Sequence, residues 1–360
     1  MLVKQKTISL KEPFHTRSGQ TLTNPQVAYE EYGNPEGPVI LALHGGLSPH
    51  HLAGKYSEKD PFPGSWDALI GPDKTIDTND FRVLSPNALG SMFGTTSPAT
   101  LDPETGQVYG ADFPVIDFID MAHFHKAFLD ELGVSELFLV CGFSMGGLMS
   151  LQLSALYPEL IGGLVAVAAS GRMTPAGMCM HHWMMNTLRL DPDFNQGRYH
   201  PKKPDTALKI IHQMIPIFYT HEKILTKLCW DDASQAKRSE NAHTLISANL
   251  SYGLADRDPN CYITLLNAIN SFDLGQECES YEEGVKRIKC PALIMNIATD
   301  SEFPFYWAKE VADILNSSDP AHALALEIES SWGHLGCVRE AEKLSGPLQD
   351  FIKSLKDQKE

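Results

Sequence analysis

Short apolar runs alternate with amphipathic stretches along most of this chain. The runs have the length of strands and no polar face; they are residues 38–43, 81–86, 135–142, 164–169, 290–298 and 323–329. Apolar residues recur at helical spacing between them, in residues 114–132, 147–158, 304–315 and 339–355. Strands that are apolar on both faces and separated by helices indicate a mostly parallel sheet flanked by helices. We therefore predict an α/β fold.

Residues 171–289 interrupt this alternation. They are rich in Met, His and Asn, follow a mostly helical pattern and contain no convincing strand. Because the alternation resumes afterwards, we interpret them as an inserted helical cap (lid) in a core domain made of residues 1–170 and 290–360. Such a cap would enclose a site at the carboxyl ends of the strands. An independent second domain is the alternative.

Composition narrows the range of partners. The 360 residues are 43% hydrophobic and 21% charged, which is ordinary for a globular protein, and the formal net charge is −16. This charge argues against nucleic acid and anionic lipid, so we expect small-molecule substrates. Seven cysteines without a C-x-x-C pair indicate reduced thiols in a cytoplasmic protein. With no signal peptide and no apolar run of about 18 residues, we expect neither export nor a membrane span.

The strongest chemical signal is a G-x-S-x-G motif at residues 142–146, centred on Ser144. It lies between a predicted strand and a predicted helix, the context of the nucleophile elbow of the α/β-hydrolase fold. Small residues on either side of the serine let the strand and the helix pass each other closely. We predict that Ser144 is a nucleophile; a glycine-rich packing turn is the alternative.

Two later residues complete a catalytic set. Asp300 follows the predicted strand 290–298, and His334 follows the predicted strand 323–329. The acid and the base come after the serine in this order in α/β hydrolases. His334 would accept the serine proton, and Asp300 would orient the imidazole. The alternatives are a helix N-cap for Asp300 and an ordinary loop histidine for His334.

The turn after the first core strand has the position expected of an oxyanion loop. Gly46 could offer one backbone N–H there, and Met145, directly after the nucleophile, could offer the second. We expect His44 to brace this loop. The histidine pairs elsewhere in the chain lack a third ligand at usual spacing, so we predict no metal site.

With these residues assembled, the chain resembles the homoserine O-acetyltransferase family of the α/β-hydrolase superfamily. The family-like segments cover most of its length; they are residues 66–90, 94–121, 142–148, 256–275, 300–304 and 333–334. The resemblance implies ping-pong transfer of an acetyl or related acyl group to a hydroxyl of a small, homoserine-like acceptor. Acetyl-CoA or another acyl-CoA would be a co-substrate, with no cofactor.

Further expectations follow from the same resemblance. Arg172 matches the family position that holds the acceptor's carboxylate, a role that suits a guanidinium; an arginine that braces the cap is the alternative. The family's cap helices commonly form a homodimer contact, so the resemblance implies a homodimer through the cap.

Two positions differ from the family pattern. Members that use homoserine usually carry Asp directly after the catalytic histidine, where this chain has Leu335, and the oxyanion turn reads HGGLS at residues 44–48. The acceptor therefore stays open. An esterase or thioesterase that passes the acyl group to water is the alternative function. A binding protein on the same scaffold is a third, and the intact Ser/Asp/His set argues against it.

Overall fold

The structure, a computed structural model, describes residues 1–199, 202–231, 234–248, 254–317 and 322–358. Its strands are β1 (Lys6–Ser9), β2 (Phe14–His15), β3 (Thr21–Leu22), β4 (Gln26–Gly33), β5 (Val39–Leu43), β6 (Ile70–Gly71), β7 (Ile76–Asp77), β8 (Arg82–Pro86), β9 (Leu139–Phe143), β10 (Leu164–Val167), β11 (Ala292–Ile297) and β12 (Ala323–Ile328). Its helices are α1 (Phe118–Glu131), α2 (Met145–Leu156), α3 (Pro175–Leu190), α4 (Asp205–Tyr219), α5 (Glu222–Trp230), α6 (Gln235–Ala248), α7 (Pro259–Asn270), α8 (Tyr281–Lys286), α9 (Phe305–Asn316), α10 (Gly336–Arg339) and α11 (Ser345–Asp357).

Eight strands form the central sheet, in the order β1-β4-β8-β5-β9-β10-β11-β12. The neighbours from β8 to β12 run parallel, whereas β4 is antiparallel to both β1 and β8. The predicted mostly parallel sheet flanked by helices is confirmed. The antiparallel edge was not predicted, because β4 contains the charged residues Glu30 and Glu31. Glu30 is nevertheless buried, since Tyr32 donates a hydrogen bond to it and His51 pairs with it at 3.0 Å.

The sheet separates two apolar cores. Along β5, Ile40 and Ala42 point into the core that contains Trp66, whereas Leu41 and Leu43 point into the core that contains α2. This alternation follows from the period of two along a strand. Burial on both faces explains why the parallel strands read as continuous apolar runs.

Two predicted helices have different limits in the structure. The stretch 114–132 becomes helical only at Phe118, because Asp117 caps the helix: its carboxylate accepts the Asp120 N–H, and the Asp120 carboxylate accepts the Asp117 N–H. The helix predicted over 339–355 begins later than predicted, at Ser345. Helix α10 ends before Glu340, whose backbone is not helical (φ −129°, ψ 40°), and α11 begins only after a short 3₁₀ turn.

Within the described residues, the segment between β10 and β11 contains the helices α3 to α8 and no strand. Three of these helices reach the carboxyl end of β9: α3 through His181, α4 through Tyr219 and α7 through Ile269. The helical content of this segment agrees with the predicted cap; the division of the chain into a core domain and an inserted cap domain stays a prediction. None of the helices in the described ranges combines the length and the apolar character needed to cross a bilayer.

Asn296 links the sheet to the loop that follows β11. Its side chain accepts the Ala169 N–H (3.0 Å) and donates to the carbonyls of Ala169 and Phe303 (2.9 Å each). Asn296→Ala would leave these buried groups unpaired, so we expect the free energy of unfolding to fall by about 2–4 kcal/mol in urea denaturation. Asn186→Ala, at an exposed position, is the matched control and should cost less than about 0.5 kcal/mol. Equal losses would contradict this account.

Candidate active site

Ser144 occupies the tight turn between β9 and α2. Its φ of 54° lies in the left-handed region, which costs a residue other than glycine about 1–3 kcal/mol. A Cβ at Gly142 would lie 2.4 Å from the Gly146 carbonyl oxygen, and a Cβ at Gly146 would lie 2.2 Å from the Leu43 carbonyl oxygen. Both positions therefore require glycine, and the hydroxyl of Ser144 is presented at the start of helix α2.

The three residues predicted to act together are hydrogen-bonded to one another. The Ser144 hydroxyl donates to Nε2 of His334 (2.9 Å), and Nδ1–H of His334 donates to Oδ2 of Asp300 (2.7 Å). The other Asp300 oxygen accepts the N–H groups of Glu302 (2.8 Å) and Phe303 (3.1 Å), which fixes the carboxylate. This order of contacts can take a proton from the serine and stabilise the resulting imidazolium. The catalytic roles themselves stay predictions.

Aromatic rings hold the imidazole of His334 in place. The Tyr219 ring lies 4.8 Å from it at 32°, and the Phe303 ring lies 5.7 Å from it. Gly333 has a φ of 63°, and a Cβ there would lie 2.6 Å from the Tyr219 carbonyl oxygen. Helix α4 therefore packs directly over the loop that carries the histidine.

His334 is buried, and its charge state depends on two carboxylates. Burial by itself would lower the pKa of His334, but the negative charges of Asp300 and Glu302, together with the hydrogen bond to Asp300, outweigh it. The pKa is therefore raised above its ordinary value near 6.5. The imidazole holds its proton more tightly than a free histidine does.

Gly46 and Met145, the predicted oxyanion donors, line the same cavity as Ser144. Met145 is the first residue of α2, so its N–H has no partner within the helix. As expected, His44 braces the neighbouring turn: Nδ1–H donates to the Gly45 carbonyl (2.8 Å), and Nε2 accepts the Ala88 N–H (3.1 Å). Hydrogen bonding of Gly46 and Met145 to an oxyanion stays a prediction.

The cavity beside Ser144 has a volume of about 220 Å³ and mostly apolar walls. Leu335, at the position that departs from the family pattern, is one of these walls. Among the described residues, no lysine or arginine lines the cavity, and Glu302 is the only carboxylate that does. Nor do three His, Cys, Asp or Glu side chains of the described chain cluster as a metal site.

Arg172 is not brought to this cavity. Its guanidinium pairs with Glu310 (2.9 Å) and lies over the rings of Tyr281 (4.2 Å) and Trp307 (5.4 Å). These contacts fit the alternative interpretation, in which the arginine braces the cap. Binding of an acceptor carboxylate by Arg172 stays a prediction that the arrangement does not support.

Glu302 and His181 also line the cavity, and neither was predicted to be a site residue. Oε1 of Glu302 lies 3.5 Å from Nε2 of His181, and Oε2 lies 3.6 Å from Nε2 of His334. Glu302 could have been found, because it stands two residues after Asp300 in the same loop. His181 could not, since its place depends on the packing of α3.

A hydrogen-bonded Ser–His–Asp set on a strand–turn–helix elbow over a mostly parallel sheet defines an α/β hydrolase. The family described as the alpha/beta hydrolase fold matches residues 38–339. The sequence is 34% identical over 352 residues to homoserine O-acetyltransferase from Moorella thermoacetica. The aligned region covers 95% of this chain and 94% of that protein. The chain belongs to the homoserine O-acetyltransferase family and is an enzyme, which confirms the resemblance.

Solved structures agree with this assignment. Homoserine O-acetyltransferase from Bacillus anthracis superimposes with a TM-score of 0.88 at 25% identity and covers 98% of each chain. A structure named esterase E22 superimposes with a TM-score of 0.89 at 26% identity, over 98% of this chain and 100% of that one. The same fold is thus shared by proteins named for transfer and for hydrolysis.

The raised pKa of His334 predicts the pH dependence of the reaction. Only the neutral imidazole accepts the Ser144 proton, so the release of 4-nitrophenolate from 4-nitrophenyl acetate should rise with pH, with a midpoint above 6.5. Glu302→Gln removes one of the negative charges and should move the midpoint to lower pH. Glu310→Gln, outside the cavity, is the control and should leave it in place. An unmoved midpoint in Glu302→Gln would refute the electrostatic account.

Proposed function

We propose that this enzyme transfers acyl groups by a ping-pong mechanism through a covalent intermediate on Ser144. The donor is an acyl-CoA or a comparable ester, and the acceptor is a hydroxyl group of a small molecule. The observation that supports this most directly is the continuous hydrogen-bonded chain from Ser144 through His334 to Asp300. The relatives named homoserine O-acetyltransferase support the choice of an acetyl group.

In the first half-reaction, Oγ of Ser144 attacks the acyl carbon while Nε2 of His334 takes its proton. The N–H groups of Gly46 and Met145 stabilise the negative charge that develops on the carbonyl oxygen. His334 then gives its proton to the departing thiolate or alkoxide. In the second half-reaction, the acceptor hydroxyl gives its proton to His334 and attacks the acyl group. His334 then returns this proton to Oγ as the bond between the acyl carbon and Ser144 breaks. No cofactor enters either step.

Hydrolysis is the second candidate, and the character of the cavity favours it. A free amino acid such as homoserine would bring a carboxylate into an apolar space in which no described arginine or lysine lines the wall. Burying an unpaired carboxylate is costly. Water or an uncharged alcohol brings no carboxylate into this space, and the similarity to esterase E22 agrees with this.

Replacing the nucleophile tests the proposal. Ser144→Ala should lower the turnover rate by a factor of about 10³ or more, because the covalent step disappears with the hydroxyl. The measurement is the release of CoA from acetyl-CoA and of 4-nitrophenolate from 4-nitrophenyl acetate. Ser170→Ala, outside the cavity, serves as the matched control and should retain most activity. Near-normal turnover by Ser144→Ala would contradict the mechanism.

The same assay separates the two candidates. Release of one CoA per enzyme, followed by turnover only after L-homoserine is added, would support transfer to this acceptor. Steady release of CoA without any acceptor would support hydrolysis.

A further inference from the structure

Glu302 holds a buried carboxylate oxygen beside the reacting atoms. The residue is 6% exposed, and Oε2 has no hydrogen-bond partner in the described part of the chain. This oxygen lies 3.6 Å from Nε2 of His334, the nitrogen that is 2.9 Å from Oγ of Ser144. Burying a charged oxygen without a hydrogen-bond partner costs free energy, so we looked for a function of the Glu302 carboxylate at this point.

The surrounding contacts fix Glu302 in this position. Its N–H donates to Asp300 (2.8 Å), and its carbonyl accepts the Thr174 hydroxyl (2.7 Å). A Cβ at Gly177 would lie 3.0 Å from Oε1, so this glycine leaves room for the carboxylate. Oε1 also faces His181, whose Nδ1 is hydrogen-bonded to Asn270 (2.7 Å). Oε2 is therefore held towards His334.

The separation of 3.6 Å is too long for a direct hydrogen bond but suits one small molecule that donates to both atoms. An oxygen about 2.8 Å from each atom bends each hydrogen bond by roughly 12°, within the favourable range. We propose that Glu302 and His334 together hold a water that attacks the acyl group on Ser144, so that Glu302 sets the share of the acyl-enzyme that is hydrolysed rather than passed to an alcohol. This inference rests on the acyl-enzyme proposed above.

The step balances with water as the only co-reactant. The water oxygen forms a bond to the acyl carbon while one of its protons moves to Nε2 of His334. The other proton stays on the oxygen and is hydrogen-bonded to Oε2 of Glu302. The tetrahedral intermediate then breaks its bond to Oγ, and His334 returns the proton to Ser144. The products are the free carboxylic acid and the regenerated enzyme.

An alcohol cannot make the same pair of contacts. Its hydroxyl carries one proton, which has to face His334 for the reaction, so nothing is donated to Oε2 of Glu302. The carboxylate would then stay buried and unpaired in the transition state. Water is therefore favoured over a simple alcohol, because it has a second proton that it can donate to Glu302 while the first faces His334.

The test measures how the acyl-enzyme divides between water and methanol. The enzyme is given acetyl-CoA or 4-nitrophenyl acetate in buffer that contains methanol, and acetate and methyl acetate are quantified. Because both products arise from one intermediate, their ratio does not depend on the rate of acylation. We expect the ratio of acetate to methyl acetate to fall about tenfold in Glu302→Leu and by less in Glu302→Gln, which keeps an oxygen acceptor. Glu310→Gln is the matched control and should keep the wild-type ratio.

The outcomes separate the two proposals. Equal ratios from both donors, with the expected fall in the Glu302 variants, would support both. A ratio that differs between the donors would overturn the common acyl-enzyme, and the inference with it. Equal ratios that do not change in the Glu302 variants would overturn the role of Glu302 alone. If Glu302→Leu does not fold, Glu302→Gln gives the same comparison with a side chain of nearly unchanged size.

Discussion

The close packing of helix α2 against the carboxyl end of β9 is the constraint on which the rest of the site depends. It exists only because Gly142 and Gly146 lack side chains where backbone oxygens lie within about 2.4 Å of an added Cβ. The tight turn between them gives Ser144 its left-handed backbone and places its hydroxyl 2.9 Å from His334. It also places the first N–H of α2, which has no partner within the helix, at the wall of the cavity. One packing requirement thus presents both the proposed nucleophile and a proposed donor for the oxyanion.

The electrostatic character of the site is set by the charged side chains that lie around His334 and the cavity. Asp300 and Glu302 flank His334 on its two nitrogens, and no described arginine or lysine lines the cavity to offset them. The pKa of the imidazole is raised as a result. The remaining walls are largely apolar, so a water or a small uncharged hydroxyl enters more easily than a molecule that carries its own carboxylate.

Much of this arrangement could be predicted from the sequence, because it depends on local rules. The elbow is a contiguous motif, and Asp300 and His334 follow strands whose carboxyl ends must meet at one edge of a parallel sheet. Contacts between the segment 171–289 and the rest of the chain could not be predicted in this way. The placement of His181 in the cavity and the pairing of Arg172 with Glu310 depend on how segments distant in sequence pack, and no spacing along the chain encodes this. The antiparallel edge was missed for a related reason, since the burial of Glu30 depends in part on His51, which comes from a separate segment.

The central claim is that the acyl group is carried on Ser144, and mass spectrometry of the enzyme quenched soon after mixing with acetyl-CoA tests it most directly. We expect the protein to gain the mass of one acetyl group, peptide mapping to place it on Ser144, and the adduct to decay as product forms. A gain of mass on another residue, or turnover of acetyl-CoA without any transient acetylation of Ser144, would contradict it.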